Sequence, residues 1–227
     1  MSATDRRAVV TLKLATSLDG RIATASGESR WITGQEAREQ GHRLRAEHDA
    51  VVVGIGTALA DDPELTVRIE GFEGSQPARI VFDTHQRLGT DAKLVQTARQ
   101  IPTILVTAEP LQQRLTDAGV LGVQVGLDAL DHVDIAQALA ALTELGHRLG
   151  RSLDRLYIEG GGQLAASFIA AGLVDRLEWF RAPMVLGGQG RPGIGDLAVE
   201  ALALAPRYRR MNVSEVGVDL WEHYERI

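Results

Sequence analysis

The clearest architectural signal in the sequence is Leu156-Tyr157-Ile158-Glu159-Gly160-Gly161-Gly162-Gln163-Leu164, where an apolar strand runs through one acid into three glycines and then a helix. A strand that passes through a short glycine turn into a helix is typical of an α/β sheet with crossover helices. The run Val51-Val52-Val53 is continuously apolar, as expected for a parallel strand that is covered on both faces. The sequence therefore predicts an α/β fold with a mostly parallel central sheet and flanking helices.

The same alternation extends along the whole chain. Strands are predicted at Val9–Leu14, Ala50–Val53, Arg79–Phe82, Thr103–Thr107, Val120–Val125, Arg155–Ile158, Arg176–Phe180, Arg207–Val213 and Gly217–Tyr224. Helices are predicted from the capping box at Thr33 to about His48, and at Pro110–Ala118, Val133–Leu149 and Gln163–Ala171. The last two strands have no helical pattern between them and predict a C-terminal antiparallel hairpin. No linker or repeat interrupts the pattern, so we predict one domain over residues 1–227.

Composition narrows the chemistry. Lys and Arg number 24 against 30 Asp and Glu, and the resulting net charge of −6 argues against a nucleic-acid binder. The chain has no cysteine, which excludes disulfides, thiolate metal sites and a cysteine nucleophile. No apolar run approaches the roughly 18 residues of a membrane helix, and the N-terminal residues lack a signal-peptide pattern, so we expect a cytoplasmic protein. The reaction must use oxygen and nitrogen groups or an organic cofactor.

Polar turns follow the predicted strands at several places. Lys13 and Ala15 lie near the end of the first strand, where ligands of open α/β sheets collect, although Asp19-Gly20 also suits a plain hairpin turn. Downstream, Ser29 precedes a capped helix, where a phosphate could bind. Trp31 is interpreted as a hydrophobic staple in preference to a surface for a ligand. Of Arg43 and Arg45, which are two residues apart on that helix, at most one is expected to point inward.

Three further segments have competing interpretations. Gly54-Ile55-Gly56 is a weak dinucleotide signal, because Leu59 stands where a third glycine or alanine is expected. Asp61-Asp62-Pro63 is read as a turn rather than a metal site, because no further ligand stands at suitable spacing. Gly160-Gly161-Gly162 is favoured as a pyrophosphate cradle over an empty turn, and the glycine-rich segment 187–195 is read as a mobile surface loop or a lid.

Taken together, these segments resemble the pyrimidine reductase domain of riboflavin biosynthesis, which has a dihydrofolate reductase-like fold. The resemblance runs from about Val10 to about Leu220. It rests on four ordered motifs, Lys13-Leu14-Ala15-Thr16-Ser17-Leu18-Asp19-Gly20-Arg21, Gly27-Glu28-Ser29-Arg30-Trp31-Ile32-Thr33, Leu59-Ala60-Asp61-Asp62-Pro63-Glu64-Leu65-Thr66-Val67-Arg68, and Glu159-Gly160-Gly161 with Gly172-Leu173-Val174-Asp175. One departure is Met184, because many members of the family carry lysine after the same Ala-Pro pair. We expect a reductase domain without the zinc deaminase half that often accompanies it.

The resemblance implies hydride transfer from NADPH to C1′ of a phosphorylated ribosylaminopyrimidine, either the deaminated or the 2,5-diamino form. Lys13 would aid ring opening or orient the substrate. Glu159 would bind the pyrimidine, and both Lys13 and Glu159 are predicted to be catalytic residues. Ser29, Arg45, Leu65 and Arg68 would surround the substrate phosphate, and the cofactor would be lined by Ala15, Trp31, Thr57, Asp61, Thr84, Gly161, Gly162, Gln163, Leu164, Ala165, Ala166 and Ser167.

Cofactor preference and partners are also implied. Thr84, His85 and Arg87 suit the 2′-phosphate of NADPH, whereas Asp83 in the same turn argues the other way. The family resemblance implies a homodimer, for which the terminal hairpin is a plausible interface. Two other functions stay open: a dihydrofolate or pteridine-type reductase, and a non-catalytic nucleotide-binding module of the same fold.

Overall fold

The structure is a computed structural model that describes residues 7–227. By contacts, the chain divides into two compact units. The described part of the first unit comprises residues 7–9 and 45–157, and the second comprises residues 10–44 and 158–227. That the chain folds as one domain stays a prediction, and the two units are described separately below.

Eleven strands and six helices are present in the described residues. The strands are β1 (Val9–Thr16), β2 (Arg21–Ala23), β3 (Ala50–Gly54), β4 (Ala78–Phe82), β5 (Thr103–Thr107), β6 (Leu121–Gln124), β7 (Arg155–Glu159), β8 (Arg176–Arg181), β9 (Arg191–Pro192), β10 (Tyr208–Val216) and β11 (Asp219–Arg226). The helices are α1 (Gln35–Ala46), α2 (Ile55–Asp61), α3 (Lys93–Gln96), α4 (Gln113–Asp117), α5 (Ile135–Leu149) and α6 (Gly162–Ala170), and Leu202–Leu204 forms a single 3₁₀ turn. All nine predicted strands are confirmed, with small shifts at their ends.

The strands of the first unit are ordered β7-β3-β4-β5-β6, and β3, β4, β5 and β6 are parallel to one another. Val51, Val52 and Val53 of β3 are fully buried, which explains their unbroken apolar run. Helix α5 buries Ile135, Ala138, Leu139, Leu142 and Leu145 along one face, its Asp134 cap accepts a hydrogen bond from the Gln137 amide, and it ends at Gly150 in the left-handed conformation. Each fully buried leucine contributes about 1.5–3 kcal/mol, so this face holds α5 in place.

The second unit orders its strands β10-β11-β8-β1-β7. Strands β1 and β8 are parallel, with Lys13 opposite Glu178, whereas β11 runs antiparallel to both β8 and β10. The predicted C-terminal hairpin is therefore present as β10 and β11, with a register shift between Arg210 and Asn212. The mostly parallel α/β sheet with an antiparallel C-terminal hairpin is confirmed. The boundary between the two units falls within β7, after Tyr157.

Helix α2 is the main element that the sequence did not predict. The segment that begins at Gly54 and suggested a nucleotide loop is helical from Ile55 to Asp61, because Ile55 and Ala58 are buried on one side of it. Asp62 ends the helix in the left-handed conformation, at φ 38°. The Gly-x-Gly dipeptide therefore begins a helix rather than forming a glycine loop. In the described residues, no helix is long and apolar enough to cross a membrane.

A buried arginine stabilises the first unit. Arg79 of β4 is 1% exposed, and its guanidinium donates to Thr97 Oγ1, Thr103 Oγ1 and the Leu94 and Ile101 carbonyl oxygens at 2.6–3.1 Å. Burial lowers its pKa to about 10. A buried charge is tolerated when it is hydrogen-bonded; here the two terminal nitrogens are bonded and Nε has no partner, and the network secures the turn between α3 and β5.

Candidate active site

Lys13 and Ala15 lie on one face of β1 in the second unit. They are two residues apart, so their side chains point to the same side of the sheet, and both are half-buried. The Lys13 ammonium stands 5.9 Å from the centroid of the Phe180 ring on the neighbouring strand β8. Lys13 is thus a partly shielded cation near the carboxyl end of a parallel strand, the position where ligands of such sheets bind.

The loop before α1 carries Ser29, which is half-buried, and Trp31, which is 66% exposed. The reading of Trp31 as a hydrophobic staple is wrong, because its ring contacts a cation instead of packing in the core. The Arg38 guanidinium lies 4.4 Å from the Trp31 ring centroid and also donates to the Thr33 carbonyl at 2.8 Å. The indole is therefore a held but exposed surface that a planar ligand can contact.

Glu159 ends β7 and leads into the glycine turn. Gly160 and Gly161 have φ values of 76° and 84°, which side chains rarely adopt, so glycine is required at both. Helix α6 then begins at Gly162, and no side chain caps its N-terminus. The first-turn amides of a helix point outward from its end and favour an anion, so the start of α6 can hold one. That residues 161–167 bind the pyrophosphate of a dinucleotide stays a prediction.

The glycine-rich segment 187–195 packs on this turn. The Gly195 amide donates to the Gly162 carbonyl at 2.8 Å, and a Cβ on Gly162 would stand 2.5 Å from the Pro192 carbonyl oxygen. In addition, β9 pairs with β2 in a small antiparallel ladder. The segment predicted as a mobile surface loop is therefore tied down at both ends, and its backbone forms one wall of the glycine turn.

Asp19 fastens the beginning of that segment. Its carboxylate accepts hydrogen bonds from the Ser17 hydroxyl at 2.6 Å and from the Leu186 and Gly187 amides at 3.1 and 2.7 Å. The Ser17 hydroxyl is the largest influence and, together with these amides, lowers the pKa of Asp19 to about 2. Sequence reasoning assigned Asp19 a turn role only, and its partners 167 and 168 positions away had no local signal.

In the first unit, Arg45 reaches the predicted phosphate segment. Its guanidinium donates to the Thr66 carbonyl oxygen at 2.7 Å. Arg43 is exposed and donates to Gln40 Oε1 at 3.3 Å, so the expectation that at most one of the pair points inward is confirmed. Gln76 clamps the next residue, because its side chain accepts from the Val67 amide at 2.8 Å and donates to the Val67 carbonyl at 3.2 Å. Gln76 was not singled out from the sequence.

This clamped segment presents one exposed arginine. Leu65 is buried at φ 55°, which turns the chain sharply, and Arg68 follows with 58% of its side chain exposed. Its guanidinium lies 3.7 Å from the Glu64 carboxylate. An exposed ion pair of this kind contributes about 0–1 kcal/mol, so Arg68 can exchange its carboxylate partner for a phosphate at little cost.

The other predicted cofactor residues of this unit lie at the carboxyl ends of β3 and β4. Thr57 and Asp61 are half-buried on α2, and Thr84 is half-buried after β4. Asp83, which argued against NADPH, is fully buried and accepts a hydrogen bond from the Leu88 amide at 2.9 Å. Its carboxylate therefore holds the turn and is not presented to a ribose. Among residues 7–227, no three His, Cys, Asp or Glu side chains are grouped as a metal site.

Comparison with known proteins agrees with this geometry. The model of the RibD C-terminal domain matches residues 8–221. The riboflavin biosynthesis protein RibD of Aquifex aeolicus is 36% identical over 229 residues, covering 98% of this chain and 59% of that protein. The 2,5-diamino-6-ribosylamino-4(3H)-pyrimidinone 5′-phosphate reductase of Methanothermobacter thermautotrophicus is 34% identical over 220 residues, covering 96% of this chain and 98% of that protein.

Solved structures give the same result. Acinetobacter baumannii RibD superposes with a TM-score of 0.84 and 29% identity over all of this chain and 59% of that one. The dihydrofolate reductase of Enterococcus faecalis, solved with NADP(H), has a TM-score of 0.51 at 15% identity and shares the fold alone. The chain spans 57–59% of the length of the first curated RibD relatives that it matches. The family resemblance and the dihydrofolate reductase-like fold are confirmed, and the chain belongs to the RibD C-terminal domain family.

Proposed function

We propose that this chain is a pyrimidine reductase of riboflavin biosynthesis, which reduces the ribosylamino group of 5-amino-6-(5-phosphoribosylamino)uracil, or of its 2,5-diamino analogue, to a ribitylamino group. The observation that carries the proposal is the match to the Methanothermobacter reductase, which covers 98% of that protein and so includes its whole reductase function. Of the motif residues, Lys13 lies near the carboxyl end of β1, Glu159 ends β7, and Arg68 follows the turn at Leu65.

NADPH is the proposed cofactor, and when bound it supplies the hydride that adds to C1′ of the substrate. The start of α6 at Gly162, which no side chain caps, supports binding of its pyrophosphate. Thr84 and the exposed His85 and Arg87 support a 2′-phosphate. Asp83 is buried, with Arg87 Nε 3.9 Å from its carboxylate, which supports the same preference because that carboxylate does not face a ribose. Trp31 would contribute its exposed ring, and Ala15, Thr57 and Asp61 would line the remaining cofactor surface.

Substrate binding would rest on a few polar groups. Arg68 would bind the phosphate, because a guanidinium fork can hold two phosphate oxygens, with Ser29 and the segment at Leu65 as further donors. Arg45 would act mainly by fixing the Thr66 carbonyl, and so the shape of that segment. Glu159 would accept hydrogen bonds from the pyrimidine. Reduction at C1′ requires the ribose ring to open and its ring oxygen to gain a proton, and Lys13 would assist that step.

The proposed assembly is a homodimer formed through the terminal hairpin. Strand β10 is the outermost strand of its sheet, and Met211 and Val213 on it are 48% and 46% exposed. A long outer strand with exposed apolar side chains is a surface that proteins usually cover. Replacing Met211 and Val213 with aspartate is expected to convert a dimer to monomers in light scattering, and a monomeric unmodified protein would overturn this part. The cytoplasmic location stays a prediction.

Turnover assays test the function directly. NADPH absorbance should fall when either pyrimidine phosphate is added, and the faster of the two identifies the natural substrate. Dihydrofolate and methotrexate serve as probes of the pteridine-reductase alternative. Absence of turnover with both pyrimidines would overturn the proposal, and NADPH binding without turnover on any of these substrates would favour the non-catalytic binding module.

Arg68→Ala tests the phosphate assignment. Loss of a charge-assisted contact costs about 1.5–3 kcal/mol, so KM for the pyrimidine phosphate should rise roughly 10- to 150-fold while the Kd of NADPH stays constant. Arg43→Ala, which removes an exposed arginine of α1, is the matched control and should change neither constant. Equal weakening of substrate and cofactor in Arg68→Ala would refute the assignment.

A further inference from the structure

A buried glutamate lies inside the sheet of the second unit and has no part in the proposed chemistry so far. Glu178 of β8 is 5% exposed. Its Oε2 accepts a hydrogen bond from Trp221 Nε1 at 2.6 Å, and its Oε1 lies 2.6 Å from His223 Nδ1. Buried carboxylates are rare unless they are paired, so a residue of this kind at a sheet position normally occupied by an apolar side chain calls for a reason.

The strand register places this carboxylate beside Lys13. Glu178 is opposite Lys13 of β1 on one side and opposite His223 of β11 on the other. Directly opposed residues of neighbouring strands point to the same face, with Cβ atoms roughly 5 Å apart. Lys13, Glu178 and His223 therefore form one row across three strands, a cation, a carboxylate and an imidazole.

The next row toward the carboxyl end of β1 is aromatic. Ala15, Phe180 and Trp221 are opposite one another on the same three strands. The Phe180 and Trp221 rings are stacked, with centroids 5.6 Å apart and an interplanar angle of 7°. The Lys13 ammonium stands 5.9 Å from the Phe180 centroid, so it extends over this row. Trp221 belongs to both groups, because its ring supports Phe180 and its Nε1 binds Glu178.

We propose that Glu178 is a positioning residue for Lys13: its carboxylate, fixed by Trp221 and His223, sets the charge and the direction of the Lys13 side chain over the Phe180–Trp221 pair. The proposal rests on the proposed function, in which Lys13 assists opening of the ribose ring. Both oxygens of Glu178 are held at short distance by side chains of β11, so the carboxylate is fixed in position, and Lys13 is its cross-strand neighbour on the other side. An anion fixed beside an ammonium group favours the charged form of that group.

Other charged groups flank this row. Arg176 of β8 and Glu225 of β11 form an exposed ion pair at 3.8 Å in the preceding row, and Glu159 ends the other neighbouring strand, β7. Burial raises the pKa of Glu178, whereas its contacts with Trp221 and His223 and the charge of Arg176 act in the opposite direction. Glu225 is outside the Lys13 row and supplies a control position.

The chain has only two lysines, Lys13 and Lys93, which makes a direct test simple. Protein grown with lysine labelled with ¹³C at Cε should show two Cε signals, assigned with Lys93→Arg. In Glu178→Gln, the pKa of Lys13 is expected to fall by about one unit, a tenfold change in its protonation equilibrium. Lys93, which pairs with Asp62 at 3.7 Å in the other unit, is the internal control and should not shift.

A kinetic cycle with Lys13→Met then separates positioning from a merely structural role. Glu178→Gln should lower kcat about tenfold in the unmodified protein, with the Kd of NADPH unchanged, and should lower it no further in the Lys13→Met background. Glu178→Asp, which keeps the charge, should recover part of the loss. Glu225→Gln should leave kcat and the Lys13 signal as they are.

The outcomes separate this proposal from the proposed function. A Lys13 Cε titration that is identical in Glu178→Gln and the unmodified protein overturns the positioning role, as does an equal loss of kcat in both backgrounds. Failure of the unmodified protein to turn over either pyrimidine phosphate overturns the function but leaves the titration result standing. If Glu178→Gln does not fold, His223→Gln removes one partner of the same carboxylate, and an unchanged Lys13 titration there is equally contrary.

Discussion

A methyl group added at Gly162 tests whether the glycine-rich segment forms a wall of the nucleotide turn. The Cβ of an alanine there would stand 2.5 Å from the Pro192 carbonyl oxygen, a distance that real Cβ contacts essentially never show. That oxygen belongs to the backbone of β9. Its neighbour Gly193 donates to the Gly20 carbonyl at 2.9 Å, so the segment cannot rotate away without breaking a hydrogen bond.

Two opposing contributions determine how much Gly162→Ala changes the free energy of unfolding. Alanine in a helix is favoured over glycine by about 0.8–1.0 kcal/mol in a helix interior, so the substitution would stabilise α6 if space allowed. Overpacking of a well-packed site costs about 1–3 kcal/mol. Gly162 is the first residue of α6, where the helix gain is only a fraction of its interior value, so the clash outweighs it and the free energy of unfolding should fall by about 1–2 kcal/mol. For a chain of this size that corresponds to a Tm lower by about 2–8 °C.

Urea unfolding and calorimetric titration with NADPH measure the two consequences of Gly162→Ala. The Kd of NADPH should rise, because relief of the clash moves either Pro192 or the start of α6. Gly188→Ala is the matched control, since a Cβ at Gly188 meets nothing within 4 Å in the same segment. A Gly162→Ala protein as stable as the unmodified one, with the same Kd, would show that segment 192–195 does not pack on the turn.

Three further substitutions test other contacts. Gln76→Leu removes both hydrogen bonds to Val67, each worth about 0.5–1.5 kcal/mol, and steady-state kinetics should show a higher KM for the pyrimidine phosphate with an unchanged Kd of NADPH. Arg79→Met removes four hydrogen bonds to buried or half-buried acceptors and should lower the free energy of unfolding by about 3 kcal/mol in urea titrations, whereas a loss below about 1 kcal/mol would contradict the network. The pKa of Asp19 is lower in the folded protein than the ordinary value of 3.8, so the ionised carboxylate stabilises the fold fully above pH 3.8 and loses this effect as the pH falls through about 2. In Asp19→Asn, the free energy of unfolding measured against pH should therefore lack the decrease between about pH 4 and pH 2.

The strands were predictable because their side chains carry the pattern locally. Val51–Val53 is apolar throughout and is buried throughout, so sequence and burial agree residue by residue. Helix α2 was missed because it has seven residues, two of its first positions follow or contain glycine, and its stability comes from burying Ile55 and Ala58 rather than from helix propensity. Tertiary packing, which no local pattern records, decides such short helices.

The candidate site divides in the same way. Arg68 and Glu159 belong to contiguous motifs, so the sequence alone singles them out. Gln76, Glu178 and His223 do not, because each acts through a contact that only the fold creates: His223 and Glu178 are 45 residues apart, and Gln76 meets Val67 across a loop. The sequence therefore predicts the residues that would contact a ligand, but not the residues that position them.

The glycine-rich segment shows why composition alone misled. Five glycines in nine positions predicted mobility, yet a Cβ at Gly193 would come within 3.0 Å of the Thr16 side chain, and one at Gly195 within 3.1 Å of the Gly162 carbonyl. At these two positions glycine provides close backbone approach rather than flexibility. Asp19 fastens the start of the segment and Gly162 receives its end, so the first and fourth motifs of the sequence meet through the same backbone. A substitution at Asp19 should therefore weaken NADPH binding at the glycine turn without touching it, and an unchanged Kd in Asp19→Asn would show that the two motifs act separately.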